Sequence, residues 1–211
     1  MRLALYSDQE VPANAAIDER VLRLIGVVRP RIGYVSAAPD PERSDFERKR
    51  RYYEKLGADL AAYVDSDTGD LERALAELFR CDAIHLGGGN TFSFLRWLKA
   101  RCVLPWLGAW AAEGRGVLIG VSAGAILMTP AVGTATLCGD VREPGPIDDD
   151  ALGLVGFHFW PHYVPGAEQA PASRAVIESL PALYACEDGA GIVVDGADIE
   201  LYGAVQIARR E

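Results

Sequence analysis

The chain has 211 residues, of which 50% are hydrophobic and 24% charged. At roughly 100–200 residues per domain this is one domain, and its composition excludes disordered, collagen-like and coiled-coil chains. Lys and Arg number 21 against 30 Asp and Glu, a formal charge of −9, so the basic footprint of a nucleic-acid binder is missing.

The opening run Met1–Tyr6 turns polar at Ser7, Asp8, Gln9 and Glu10, too soon for the apolar region of a signal peptide. The longest apolar run, Val117–Leu127, is broken by Gly120, Ser122 and Gly124, and nothing approaches the ~18–20 apolar residues of a membrane helix. Cys81, Cys102, Cys138 and Cys186 are scattered without a Cys-x-x-Cys pair, which reads as free thiols in a reducing compartment. His85, His158 and His162 are the only histidines, and their spacing fits no common zinc site. A cytoplasmic chain without a structural metal is the expectation.

In chain order, short apolar strands alternate with amphipathic helices. Arg2–Tyr6 predicts a strand, Asp18–Ile25 a helix, Arg31–Ser36 a strand and Asp45–Leu56 a charged helix. Leu60–Val64 is a third strand, and Asp70–Phe79 a helix with Asp70 as its N-cap. Ala83–Leu86 is a fourth strand, ending in Gly87-Gly88-Gly89. Helices over Phe92–Lys99 and Leu104–Glu113 follow, then a fifth strand, Val117–Val121, runs into Ser122-Ala123-Gly124. Trp97, Trp106 and Trp110 on these helices read as a core cluster. Thr129–Asp150 is loop-like, and Ala172–Leu180 a helix. Gly156–Trp160, Leu183–Cys186, Gly191–Val194 and Ile199–Ala208 read as strands, the last two as a hairpin near Asp195-Gly196. The alternation predicts an α/β fold, a mostly parallel sheet with helices on both faces over residues 1–211. Ligands of such folds sit beyond the carboxyl ends of the strands, where the two glycine-rich turns lie.

Gly120-Val121-Ser122-Ala123-Gly124 matches G-x-S-x-G after a strand and before a helix-forming run. Such a turn pushes a serine side chain into solvent and needs small residues where backbone meets backbone. Backbone N–H groups of Gly88 or Gly89 and of Ala123 are candidates for an oxyanion hole. A serine hydroxyl needs a base. His85 lies inside a strand and His158 in an alternating strand, which are structural positions, whereas His162 follows Pro161 just past a strand end. Acids to orient it are Asp140, Glu143, Asp148, Asp149 and Asp150 before it, and Glu168, Glu187 and Asp188 after it. Spacing alone does not choose among them.

Leu86-Gly-Gly-Gly-Asn-Thr-Phe92, Gly120-Val-Ser-Ala-Gly-Ala125 and Ala151-Leu-Gly-Leu-Val155 leading to Pro161-His162-Tyr163 together resemble the peptidase S51 family, which holds the aspartyl dipeptidases and cyanophycinase. The resemblance implies a class I glutamine amidotransferase-like, flavodoxin-like sandwich. It implies Ser122 as nucleophile and His162 as base, with Asp140 as the acid by its interval to the histidine and Glu187 or Asp188 as the alternative. Gly88, Gly89 and Ala123 carry over as the oxyanion hole, with Asn90 and Thr91 lining the pocket. A substrate carboxylate wants an arginine, and Arg174 is the nearest candidate, though out of register. The implied activity is a serine exopeptidase acting on dipeptides, including N-terminal Asp-X, without cofactor or metal. Its partner is a small peptide rather than nucleic acid or membrane, and a homodimer is compatible with the sequence. Alternatives on the same fold are a hydrolase of different, cyanophycinase-like specificity and a non-catalytic binding protein.

Overall fold

The computed structural model describes residues 1–142 and 148–209. In chain order its elements are β1 (Arg2–Tyr6), α1 (Ala15–Ile25), β2 (Arg31–Val35), α2 (Ser44–Lys55), β3 (Asp59–Val64), α3 (Leu71–Leu78), β4 (Ala83–Leu86), α4 (Thr91–Ala100), α5 (Leu104–Ala112) and β5 (Val117–Val121). There follow α6 (Ala123–Ile126), β6 (His158–Trp160), α7 (Pro171–Ser179), β7 (Ala182–Cys186), β8 (Gly191–Asp195), β9 (Asp198–Tyr202) and β10 (Val205–Arg209). The main sheet has seven strands in the order β3-β2-β4-β5-β1-β8-β9. The strands from β3 to β1 are parallel, and β8 and β9 continue the sheet antiparallel. This is the flavodoxin-like, glutamine amidotransferase-like α/β fold.

The central strands β1, β4, β5 and β8 read as near-continuous apolar runs because both faces are covered. Leu3 and Leu5 of β1 pack with Leu78 of α3, Phe94 and Leu98 of α4 and Leu107 of α5. Their neighbours Ala4 and Tyr6 point the other way, into a second cluster with Ile17, Val21 and Leu24 of α1 and Tyr53 of α2. Asp70 caps α3 by accepting from the Arg73 N–H, as its position predicted. Trp97 and Trp110 are buried as expected, whereas Trp106 is 63% exposed. Among the described residues no helix is long and apolar enough to cross a membrane.

The predicted hairpin near Asp195-Gly196 forms between β8 and β9, but its second strand is shorter than expected. Ile199–Ala208 is not one strand: β9 pairs with β8 in the main sheet, and β10 pairs with β7 in a separate sheet of order β10-β7-β6. The chain changes sheets at Gly203, whose φ of +72° suits glycine and whose position against Ala190 leaves little room for a side chain.

Register brings three strand ends together. Leu5 and Leu86 both pair with Gly120, so β1, β4 and β5 finish at one level, at Ser7, Gly87 and Ser122. At that level the turn after β5 touches β4: a Cβ on Gly124 would stand 2.2 Å from the Leu86 oxygen, and one on Gly120 would stand 2.5 Å from the Gly124 carbonyl carbon. Gly124→Ala is therefore expected to destabilise the fold by about 1–3 kcal/mol or more, read as a lowered urea midpoint. Gly133→Ala, where nothing lies within 4 Å, should shift the midpoint little.

Candidate active site

Ser122 sits between β5 and α6 with φ 52° and ψ −110°, a conformation a serine adopts only when its surroundings enforce it. Its N–H donates to the Tyr6 carbonyl at 2.9 Å, which ties the turn to β1. His162 follows β6, also at positive φ, 55°. Its Nε2 lies 2.8 Å from Ser122 Oγ and its Nδ1 lies 2.6 Å from Asp188 Oδ1. With the ring proton on Nδ1 and donated to the carboxylate, Nε2 is left to accept from the serine hydroxyl. Side-chain exposures of 39% for His162 and 58% for Asp188 leave this row open to substrate and water.

Asp140, the acid expected first, is not the histidine's partner: its Oδ2 accepts from the Thr91 N–H at 2.8 Å, at the start of α4. Glu187 stands beside Asp188, but among the described residues its backbone rather than its carboxylate carries its contacts, with N–H donated to Ala204 O and carbonyl accepting from Ala190 N–H. Asp148 and Asp149 pair with Lys99 and Arg142, and Glu168 accepts from the Tyr163 hydroxyl. Glu143 lies outside the described residues.

The two expected pocket residues of α4 do other work. Asn90 caps the helix by accepting from Ser93 N–H and spends its amide on the Val141 carbonyl. Thr91 is fully buried, so it is out of reach of a substrate. Together with Asp140 they clamp the loop at 140–141 onto α4. Arg174 stands exposed on α7, which lays Ile177 against the three-stranded sheet, and it does not line the cavity beside Ser122.

The glycine turn after β4 faces the serine. A Cβ on Gly88 would lie 3.6 Å from Ser122 Cβ, and Gly89 has φ +140°. Among the described residues the amides of Gly88, Gly89 and Ala123 have no hydrogen-bond partner, while that of Gly124 donates to Gly87 O at 3.1 Å. Helix α6 is only four residues long, so local N–H groups rather than a long helix dipole are what it offers here. The other histidines are structural. His85 is fully buried against the Tyr53 hydroxyl, and burial holds its pKa well below the ordinary value. His158 is buried as well, and its pKa is lowered for the same reason.

One participant escaped the sequence reading. Ser7, fully buried at the end of β1, accepts from the His162 backbone N–H at 2.7 Å, donates to the Cys186 carbonyl at 2.9 Å and lies 3.4 Å from Asp188 Oδ1. It fixes both the backbone of the histidine and the strand end that carries the acid. The signal was the polar run Ser7–Glu10 directly after an apolar strand, whose residues Asp8–Glu10 also form one wall of a cavity of about 330 Å³ bounded on the serine side by Gly88 and Val121.

Chemically the arrangement is a serine hydroxyl, a base within hydrogen-bond reach, an acid orienting the base and unpaired N–H groups beside the hydroxyl. Labelling of Ser122 by a neutral fluorophosphonate measures it. Asp188→Asn is expected to slow labelling by about 10³–10⁴-fold. Ser7→Ala, which loosens His162, should cost about 10–100-fold. Asp140→Asn should change it less than about tenfold, because its carboxylate serves α4 instead. Equal slowing by Asp140→Asn and Asp188→Asn would contradict this geometry.

The sequence matches peptidase family S51 over residues 3–202. It is 33% identical to peptidase E of Citrobacter koseri over 166 residues, 77% of this chain and 69% of that protein. It is 32% identical to the uncharacterized peptidase Lin0382 of Listeria innocua over 118 residues, 56% of each chain. The match to the peptidase Lmo0363 of Listeria monocytogenes is 30% over 63% of this chain and 65% of that one, so the chain aligns with little more than half to two thirds of these Listeria proteins. A crystal structure of a Listeria monocytogenes EGD-e protein assigned to peptidase E superposes with a TM-score of 0.73, covering 95% of this chain and 96% of that one at 23% identity, a likeness of fold. With a family match running from β1 through β9, this chain belongs to peptidase family S51.

Proposed function

We propose that the chain is a serine exopeptidase that cleaves short peptides through Ser122, His162 and Asp188. The observation that carries the reading is the row of contacts from Asp188 Oδ1 through both nitrogens of His162 to the Oγ of a serine held at φ 52°. Membership of a peptidase family and similarity to proteins named peptidase E support the class of bond cleaved.

In the proposed reaction Ser122 Oγ attacks the scissile carbonyl carbon as His162 Nε2 takes its proton. Asp188 stabilises the imidazolium so formed. The carbonyl oxygen, now an anion, swings towards the free N–H groups of Ala123 and of Gly88 or Gly89. His162 then gives the proton to the leaving amine, and water, activated by the same imidazole, hydrolyses the acyl-enzyme. Asp140 has no part in this scheme. Asp-X selectivity is not part of it either, because Arg174, the arginine it would rest on, does not line the cavity beside the nucleophile.

The test is a panel of Asp-X, Glu-X, Ala-X, Gly-X and β-Asp-Arg dipeptides with release of the C-terminal amino acid as readout. Cleavage of one or more is expected, and Ser122→Ala should lower kcat on the order of 10⁴–10⁶-fold with the fold retained. Turnover that survives Ser122→Ala, or none on any member of the panel, would overturn the reading.

A further inference from the structure

The cavity of about 330 Å³ beside Ser122 is unlike an ordinary apolar specificity pocket. Its charged lining is Asp8, Glu10 and Asp45 against Arg48 and Lys49. Both cations are already compensated. Lys49, with its side chain 7% exposed, gives its ammonium to Glu10 Oε1 at 2.7 Å and to Gln9 Oε1 at 3.0 Å. Arg48 meets Asp45 at 3.1 Å and Glu10 at 3.6 Å. Asp8 is the carboxylate left over: its Oδ1 accepts from the neighbouring Gln9 N–H at 2.7 Å, and among the described residues it has no cation within 4 Å. Lys49, the cation that feels Asp8, is already bonded to Glu10 and Gln9, which leaves this half-buried carboxylate able to take a further cation from outside.

A second observation is independent of the charges. Tyr34, 4% exposed, lines the same cavity, and its hydroxyl has no hydrogen-bond partner among the described residues. The hydroxyl is not sealed from solvent but opens on the cavity, where it is a free partner for a polar group that enters. The hydroxyl lies beneath the strand end that faces the nucleophile: a Cβ on Gly87 would meet it at 2.6 Å, and the next residue, Gly88, backs onto Ser122. Burial also raises the phenol's pKa, so it stays a neutral hydroxyl, able to accept from an N–H⁺ group through its lone pair.

We propose that this cavity is the subsite for the residue on the amino side of the scissile bond, and that it takes a cationic nitrogen of that residue between the Asp8 carboxylate and the Tyr34 hydroxyl. The nitrogen comes from one of two sources, the free α-ammonium of an N-terminal residue or a basic side chain. Asp8 adjoins Ser7, which holds His162, so a cation anchored there lies next to the reacting carbonyl. This inference rests on Ser122 being the reactive group, and its test separates the two.

The full-length protein is labelled at Ser122 with a neutral fluorophosphonate, and protection from labelling is titrated with two matched pairs. Ala-Leu is set against propionyl-Leu, which lacks only the amine. N-acetyl-Lys-Leu is set against N-acetyl-norleucyl-Leu, which lacks only the side-chain ammonium. The cationic member of at least one pair should protect at about 10–100-fold lower concentration than its neutral match. Preference within the first pair assigns the α-ammonium, and within the second the basic side chain. Asp8→Asn keeps the acceptor for the Gln9 N–H and removes only the charge, and it should abolish the preference. Tyr34→Phe should reduce it. Equal protection within both pairs, or a preference unchanged in Asp8→Asn, overturns the inference while leaving the nucleophile intact. Absence of labelling in the wild-type protein overturns the nucleophile reading and this inference with it.

Discussion

Where the turn after β5 crosses the end of β4, two backbones pass so closely that a methyl group on Gly124 would stand 2.2 Å from the Leu86 oxygen. This contact is what lets the chain leave β5 at the angle that puts Ser122 at φ 52°. Gly120 and Gly124 are thus the packing condition for a strained serine, and the strain turns its hydroxyl out of the sheet and towards the histidine. The same contact brings the Gly87–Gly89 turn alongside the serine, because Gly124 N–H is bonded to Gly87 O; Gly87 N–H donates to Val35 O, and the Gly88 and Gly89 N–H groups have no partner among the described residues. The placement of Ser122 and of the Gly88 and Gly89 N–H groups therefore depends on one close approach.

His162 and Asp188 are held from a different quarter. They come from the small β10-β7-β6 sheet, which the main sheet must meet in a fixed position if the row of hydrogen bonds is to form. Ser7 makes that junction. Its hydroxyl joins the end of β1 to the His162 N–H and to the Cys186 carbonyl at the end of β7, and the Tyr163 N–H donates to that same carbonyl. Buried bonds of this kind are individually worth about 0.5–1.5 kcal/mol. Their effect here is geometric, since a shift of about 1 Å between the sheets would break the contact of Ser122 with His162.

The parallel sheet, the elbow at Ser122 and the choice of His162 were legible in the sequence because each is local or nearly so: apolar runs of strand length, glycines at fixed offsets from a serine, and a chain with three histidines of which one follows a strand end. The acid was not legible. Asp188 lies 26 residues from His162 and reaches it because β6 pairs with β7 in a register that sets Trp160 opposite Ala185, so that both residues emerge just past the strand ends. Register of a three-residue strand is a tertiary property, and no interval along the chain encodes it. Asn90 and Thr91 misled for the opposite reason, since a polar pair after a glycine turn serves equally well as a helix cap and a pocket wall. Ser7–Glu10 was visible only as a polar interruption, because its meaning depends on which strand end lies next to β1.

The geometry has Asp188, not Asp140, orient His162 towards Ser122. The most direct measurement is the tautomer of the neutral His162 ring, read from its ¹⁵N chemical shifts and assigned with His162→Ala. The proton is expected on Nδ1 in the wild-type protein and in Asp140→Asn, with loss of that preference in Asp188→Asn. A proton on Nε2 in the wild type, or a tautomer that responds to Asp140→Asn and ignores Asp188→Asn, would contradict it.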